Sequence, residues 1–152
     1  MREETAFDET SFLGLSRDAR RDGYRLGLFA KHLEPDERPL VFLPIRDATL
    51  VVTERRILEF RPHLVVQGSW NVRRFDGFVI ERSIPRETVR GVDRKVGAPP
   101  GPQPGTAYVD ERLVLDTADG VLDILVTRAP RPVLSDADLV TLRAAILAPQ
   151  AK

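Results

Sequence analysis

The chain has no cysteine, so disulfides, thiolate nucleophiles, zinc ribbons and iron-sulfur clusters are excluded together. It also lacks an excess of either charge. Lys plus Arg and Asp plus Glu each total 23, the net charge is zero, and no long-range field draws the protein to nucleic acid. Long apolar runs are missing as well: the longest, Ala144 to Ala148, falls far short of the roughly 20 residues a membrane-spanning helix requires. The opening stretch, Met1 to Glu9, has neither the basic start nor the apolar centre of a signal peptide, and the expectation is a soluble, cytoplasmic protein. Histidine is scarce. His32 and His63 are the only side chains that ordinarily titrate near neutrality, and neither has a Ser or Asp partner at a recognised spacing. The carboxylate pairs Glu3-Glu4, Asp8-Glu9, Asp36-Glu37 and Asp110-Glu111 lack the Asn, Gly or His that would support a cation, and Asp136 and Asp138 read as helix-capping residues. The sequence therefore predicts no catalytic residue, no cofactor and no metal ligand, and a protein that is not an enzyme.

What is present is a chain of 152 residues, 42% hydrophobic, enough for one domain with a sizeable core. All basic residues except Lys31, Lys95 and Lys152 are Arg, and their scatter along the chain fits the codon usage of a GC-rich bacterial genome. Residues 1–15 read as an acidic N-terminal arm and 16–34 as a helix, started by Ser16 and stopped by Pro35, with Leu26, Phe29, Ala30 and Leu33 at helical spacing. From there the texture is β. Strands are predicted over 40–45, 48–53 and 57–61, with Pro39 and Pro44 placing the first near an edge. Leu58 and Phe60 face one side, Ile57 and Glu59 the other. A short strand over 63–66 precedes a turn at 67–71, and Asp76-Gly77 is a second hairpin signal before a strand at Phe78. Strands are also predicted over 89–96, 112–116 and 121–127, the last two joined through Thr117-Ala118-Asp119-Gly120, and the Gly/Pro-rich stretch 97–105 is a loop. Ser135 caps a closing helix whose stripe is Leu139, Leu142 and Ile146, ended by Pro149.

The run Leu50-Val51-Val52-Thr53-Glu54-Arg55-Arg56-Ile57-Leu58 resembles the strand-turn-strand signature of bacterial pleckstrin-homology-like and GRAM-type domains: an apolar strand ending in Thr, a polar turn with a basic residue, and Ile or Leu opening the partner strand. Pro35-Asp36-Glu37 is similar to the Pro-Gly-Glu that often precedes the first strand there, and Ile84-Pro85-Arg86-Glu87-Thr88-Val89 to a segment later in the family. The resemblance covers roughly residues 30 to 147 and implies a mainly β (α+β) fold: a bent sandwich or partly open barrel of about seven antiparallel strands, with a C-terminal capping helix and here an extra N-terminal helix. On this reading residues 35–148 form the domain proper. In the turn, the Thr53 hydroxyl is expected to bond amides just beyond the strand, and Arg55 and Arg56 to dress the turn. The loop Pro44-Ile45-Arg46-Asp47 departs from the Lys/Arg-flanked loop of phosphoinositide-binding members, because Asp47 offsets Arg46.

The resemblance implies a non-enzymatic binding or self-assembly module, with a homo-oligomer or a protein or peptide partner. The candidate interaction surface is Trp70, Arg73, Arg74, Arg82, Arg86 and Arg90, the arginines sharing a face if strands 78–84 and 89–96 pair. Trp70 reads either as a core plug or as an exposed anchor for another subunit. Two alternatives remain: association with an anionic membrane through the same arginines, and a small-ligand carrier with a pocket lined by Phe60, Trp70, Phe75 and Phe78.

Overall fold

The computed structural model describes residues 4–14, 23–67, 72–97 and 109–147. The expected helix start at Ser16, Trp70 and most of the 97–105 loop lie outside these residues. The fold is mainly β, with two sheets and two α-helices among the described residues. The first sheet holds five strands in sequence order: β1 (Ser11–Phe12), β2 (Pro39–Ile45), β3 (Ala48–Thr53), β4 (Arg56–Gln67) and β5 (Val72–Pro85). The second is a three-stranded meander of β6 (Val89–Gly97), β7 (Val109–Thr117) and β8 (Gly120–Ala129). All neighbouring pairs are antiparallel except β1 and β2.

The first sheet is covered on both faces, and strand alternation decides what each face meets. Val41, Leu43, Leu50, Val52 and Ile57 point toward the second sheet, where Val92, Leu113, Leu115, Ile124 and Val126 close a core with Leu142 and Ile146 of α2 (Asp136–Leu147). Phe42, Val51, Leu58 and Phe60 point the opposite way, against α1 (Gly23–Ala30) and a short 3-10 helix over Glu4–Phe7. Phe29 of α1 sits at the centre of that layer, stacked on Phe78 with ring centroids 3.9 Å apart and meeting Phe60 edge-on at 5.1 Å. The N-terminal segment docks here too. Phe7 is fully buried, and β1 pairs with Val41 and Phe42 of β2, while Pro39 beyond the ladder is buried with its carbonyl accepting the Thr10 hydroxyl at 2.8 Å.

Three expectations need correcting. Asp76-Gly77 is not a hairpin turn: both residues lie inside β5, where the register slips between Pro62 and Leu64 of β4 and Gly77 takes a φ of 78°, a bulge in a continuous strand. The strand at 63–66 is likewise the far half of β4 and no separate element. Finally, the strands around 78–84 and 89–96 do not pair, since β5 ends the first sheet and β6 begins the second, with a 3-10 turn over Arg86–Thr88 between them.

α2 begins with a reciprocal cap. The Asp138 amide donates to Ser135 Oγ at 3.0 Å, and the Ser135 amide donates to Asp138 Oδ2 at 3.2 Å. Buried Glu111 holds the segment before it, accepting the Val133 amide at 2.7 Å and the Leu134 amide at 3.3 Å.

Candidate functional site

The basic pair in the turn after β3 is structural. Thr53 Oγ1 accepts the amides of Arg55 and Arg56 at 3.1 and 3.0 Å and donates to Glu37 Oε2 at 2.6 Å. Arg56 lays its guanidinium on the same carboxylate, Nε to Oε2 at 2.9 Å and Nη2 to Oε1 at 3.0 Å, and reaches the His32 carbonyl at 3.1 Å. Burial opposes ionisation of Glu37, which is fully enclosed. The bonds from Arg56, Thr53 and the Glu34 amide outweigh it and hold the carboxyl below its ordinary value. Arg55 pairs with Asp36 at 2.6 Å and Arg38 with Glu54 at 2.7 Å, so the turn and the Pro35-Asp36-Glu37 segment are clamped together. His32 is occupied as well, its Nε2 donating to the Phe78 carbonyl at 2.9 Å.

The six candidate interaction residues separate. Arg86 is buried, and its Nη1 donates at 2.7 Å to the Ala145 carbonyl in the last turn of α2, where a cation suits the unpaired carbonyls. It is no part of a surface. Arg90 is exposed on β6, Arg82 is half-buried on β5, and Arg74 is exposed at the far end of β5. Arg73 neighbours Arg74 in that strand, and Trp70 stands between β4 and β5 in the chain, outside the described residues. Of the aromatic pocket's expected lining, Phe60 and Phe78 are buried against α1 and Phe75 packs edge-on against Phe78 at 5.2 Å, while Trp70 lies outside the described residues.

Two other features emerge. The first is an arm. β3 pairs with β4 only as far as Thr49 opposite Phe60; beyond that, Arg61 to Gln67 pair with β5 alone, back to Val72. This two-stranded ribbon runs past the edge of its sheet, with Leu64 48% and Val66 58% exposed. An isolated hairpin of this kind is marginal in water. β5 is also the terminal strand of the first sheet, so among the described residues one side of its backbone has no strand neighbour, and Val79 and Ile80 along it are exposed.

The second feature is a cleft of about 230 Å³ reached by both sheets, lined by the β2–β3 turn (Ile45, Arg46, Asp47), Glu59 and Arg61 of β4, Arg82 of β5, Arg112 of β7 and Asp123 of β8. Asp47 holds the turn with a φ of 61°, a left-handed conformation that Asp tolerates better than most residues, and the Arg46 amide bonds the Val126 carbonyl of the second sheet at 2.8 Å. Arg112 is fully engaged, with Asp110 at 2.6 Å and Asp123 at 3.3 Å. Together with Arg128 at 3.0 Å it surrounds Asp110. Its hydrogen bond lowers the Asp110 carboxyl below the ordinary range, against the effect of desolvation, with Arg128 adding to it. A larger hollow of about 450 Å³ beside the N-terminal segment has Arg38 as its one lining cation, already held by Glu54. The sequence reading placed Glu59 and Arg46 on their strand and turn but missed their convergence, which depends on the crossing of the two sheets and leaves no local signal.

Among the described residues, no helix is long and apolar enough to cross a membrane, and no three His, Cys, Asp or Glu side chains are grouped to hold a metal ion. No protein-family model matches the chain, and no curated protein or solved structure is detectably similar to it.

Proposed function

We propose that this protein is a non-enzymatic, pleckstrin-homology-like binding module that self-assembles through the β4–β5 arm and the free edge of β5. The likeness to that fold is supported by the order of elements after residue 35: four antiparallel strands, three antiparallel strands in a second sheet, and one helix that closes the core between them. The observation that carries the binding role is the arm, whose Leu64 and Val66 are 48% and 58% exposed and whose backbone, among the described residues, pairs on one side only. A second copy is the favoured occupant. The chain is neutral overall, so two copies do not repel at long range. Of the arginines named for the membrane alternative, Arg86 is buried and Arg90 lies on β6, while Arg73, Arg74 and Arg82 share β5.

Light scattering over a dilution series tests this. The expected result is a discrete oligomer that dissociates on dilution, and monomers at all concentrations for Leu64→Lys and Val66→Lys with unchanged melting temperatures. A wild-type chain that is monomeric throughout overturns the reading.

A further inference from the structure

The cleft between the two sheets has a chemistry that the arm does not use. Glu59 is 5% exposed, and its Oε1 is buried without a hydrogen-bond donor among the described residues. The cation facing it is Arg61, whose Nη2 stands 3.9 Å away, too far for a hydrogen bond, while the same guanidinium is drawn to Glu81 at 3.8 Å. A carboxylate oxygen withdrawn from water with no donor is unfavourable, and a ligand that brings one recovers the loss. Arg82 lies directly across the β4–β5 ladder from Glu59, and Arg46 projects from the β2–β3 turn that lines the same cleft. Neither guanidinium forms an ion pair or a hydrogen bond with a described residue, in contrast to Arg112 beside them.

The cleft thus offers two free cationic forks and one buried acceptor. A simple anion would satisfy the arginines and sit against Glu59; a simple cation would do the reverse. We infer that the cleft binds a small zwitterion, an amino-carboxylate whose carboxylate is held by Arg82 and Arg46 and whose ammonium supplies the missing hydrogen bond to Glu59 Oε1. Charge-assisted hydrogen bonds of both signs then form at once. The volume of about 230 Å³ is below the range of roughly 300–1,000 Å³ that suits drug-sized ligands and fits a molecule the size of an amino acid. This inference is independent of the arm.

Calorimetric titration of the full chain tests it, using the free L-amino acids, with acetate, ethylammonium and inorganic phosphate as probes of one charge. The expected result is saturable binding of at least one amino acid with Kd about 1 mM or tighter, and single-charge probes weaker by about tenfold or more. Arg82→Gln and Glu59→Gln each weaken that binding by about tenfold or more, whereas Arg90→Gln, on β6 away from the cleft, leaves it unchanged. Should Glu59→Gln fail to fold, Arg46→Gln on the exposed turn carries the same expectation. No saturation by any amino acid overturns the proposal. So does acetate or phosphate binding as tightly as the best amino acid, or undiminished affinity in the Glu59 or Arg46 variant.

Discussion

Glu37 is the residue on which the β3–β4 hairpin depends, because its carboxylate gathers Thr53, Arg56 and the Glu34 amide in an enclosed site. Replacing it with Gln leaves Arg56 without its counter-charge, and the expected loss at neutral pH is about 3 kcal/mol, read from urea unfolding. The pH dependence has a definite sign. The folded-state pKa of Glu37 is lowered, as is that of Asp110, so both contribute stability fully above the ordinary carboxylate range and lose it as pH falls through the lowered values. Urea midpoints should therefore fall on acidification, and fall less steeply in Glu37→Gln than in the wild type. Equal slopes contradict this. The Thr53 hydroxyl was legible in sequence because the amides it accepts are two and three residues away. The Glu37–Arg56 fork was not, since 19 positions separate the partners and only the packing of the whole hairpin joins them.

At the level of elements, local chemistry announced the ends and tertiary pairing decided the rest. The closing helix was readable from Ser135 and the Leu142 and Ile146 stripe, because a cap and an apolar face are both encoded within a few turns. Ser135→Ala should lower stability by about 1 kcal/mol, measured as a drop in melting temperature, with no change in the β core. The Asp76-Gly77 pair misled for a physical reason: Asp-Gly suits a left-handed backbone in a turn and in a bulge alike, and only continued pairing with β4 on both sides tells the two apart. A Cβ on Gly77 meets nothing closer than Lys31 Nζ at 3.7 Å, so the cost of Gly77→Ala is conformational, from its φ of 78°. That variant should be about 1 kcal/mol less stable by urea unfolding, and one as stable as the wild type would remove the strain argument. The N-terminal arm was only half legible. Phe7 and Phe12 show no period along the chain, but they find Phe42 across a layer no sequence window contains.

Taken as a whole molecule, the protein exposes large apolar groups along the arm and β5 (Leu64, Val66, Val79 and Ile80) and also on α1, β6, β8 and α2 (Tyr24, Val96, Val121, Val140 and Leu147). Sheets ordinarily protect their edges with charges and bulges, and β5 has both; on the proposed self-assembly these would oppose open-ended pairing into a fibre. Amide hydrogen exchange measured at high and low protein concentration tests the central claim most directly, because an edge that pairs with another copy gains protection only when that copy is present. The account predicts that amides of β5 and of the arm exchange more slowly at high concentration, while those of β6 and β8 at the edges of the second sheet do not change. Exchange in β5 that is the same at every concentration, up to the highest at which the protein remains in solution, would contradict it.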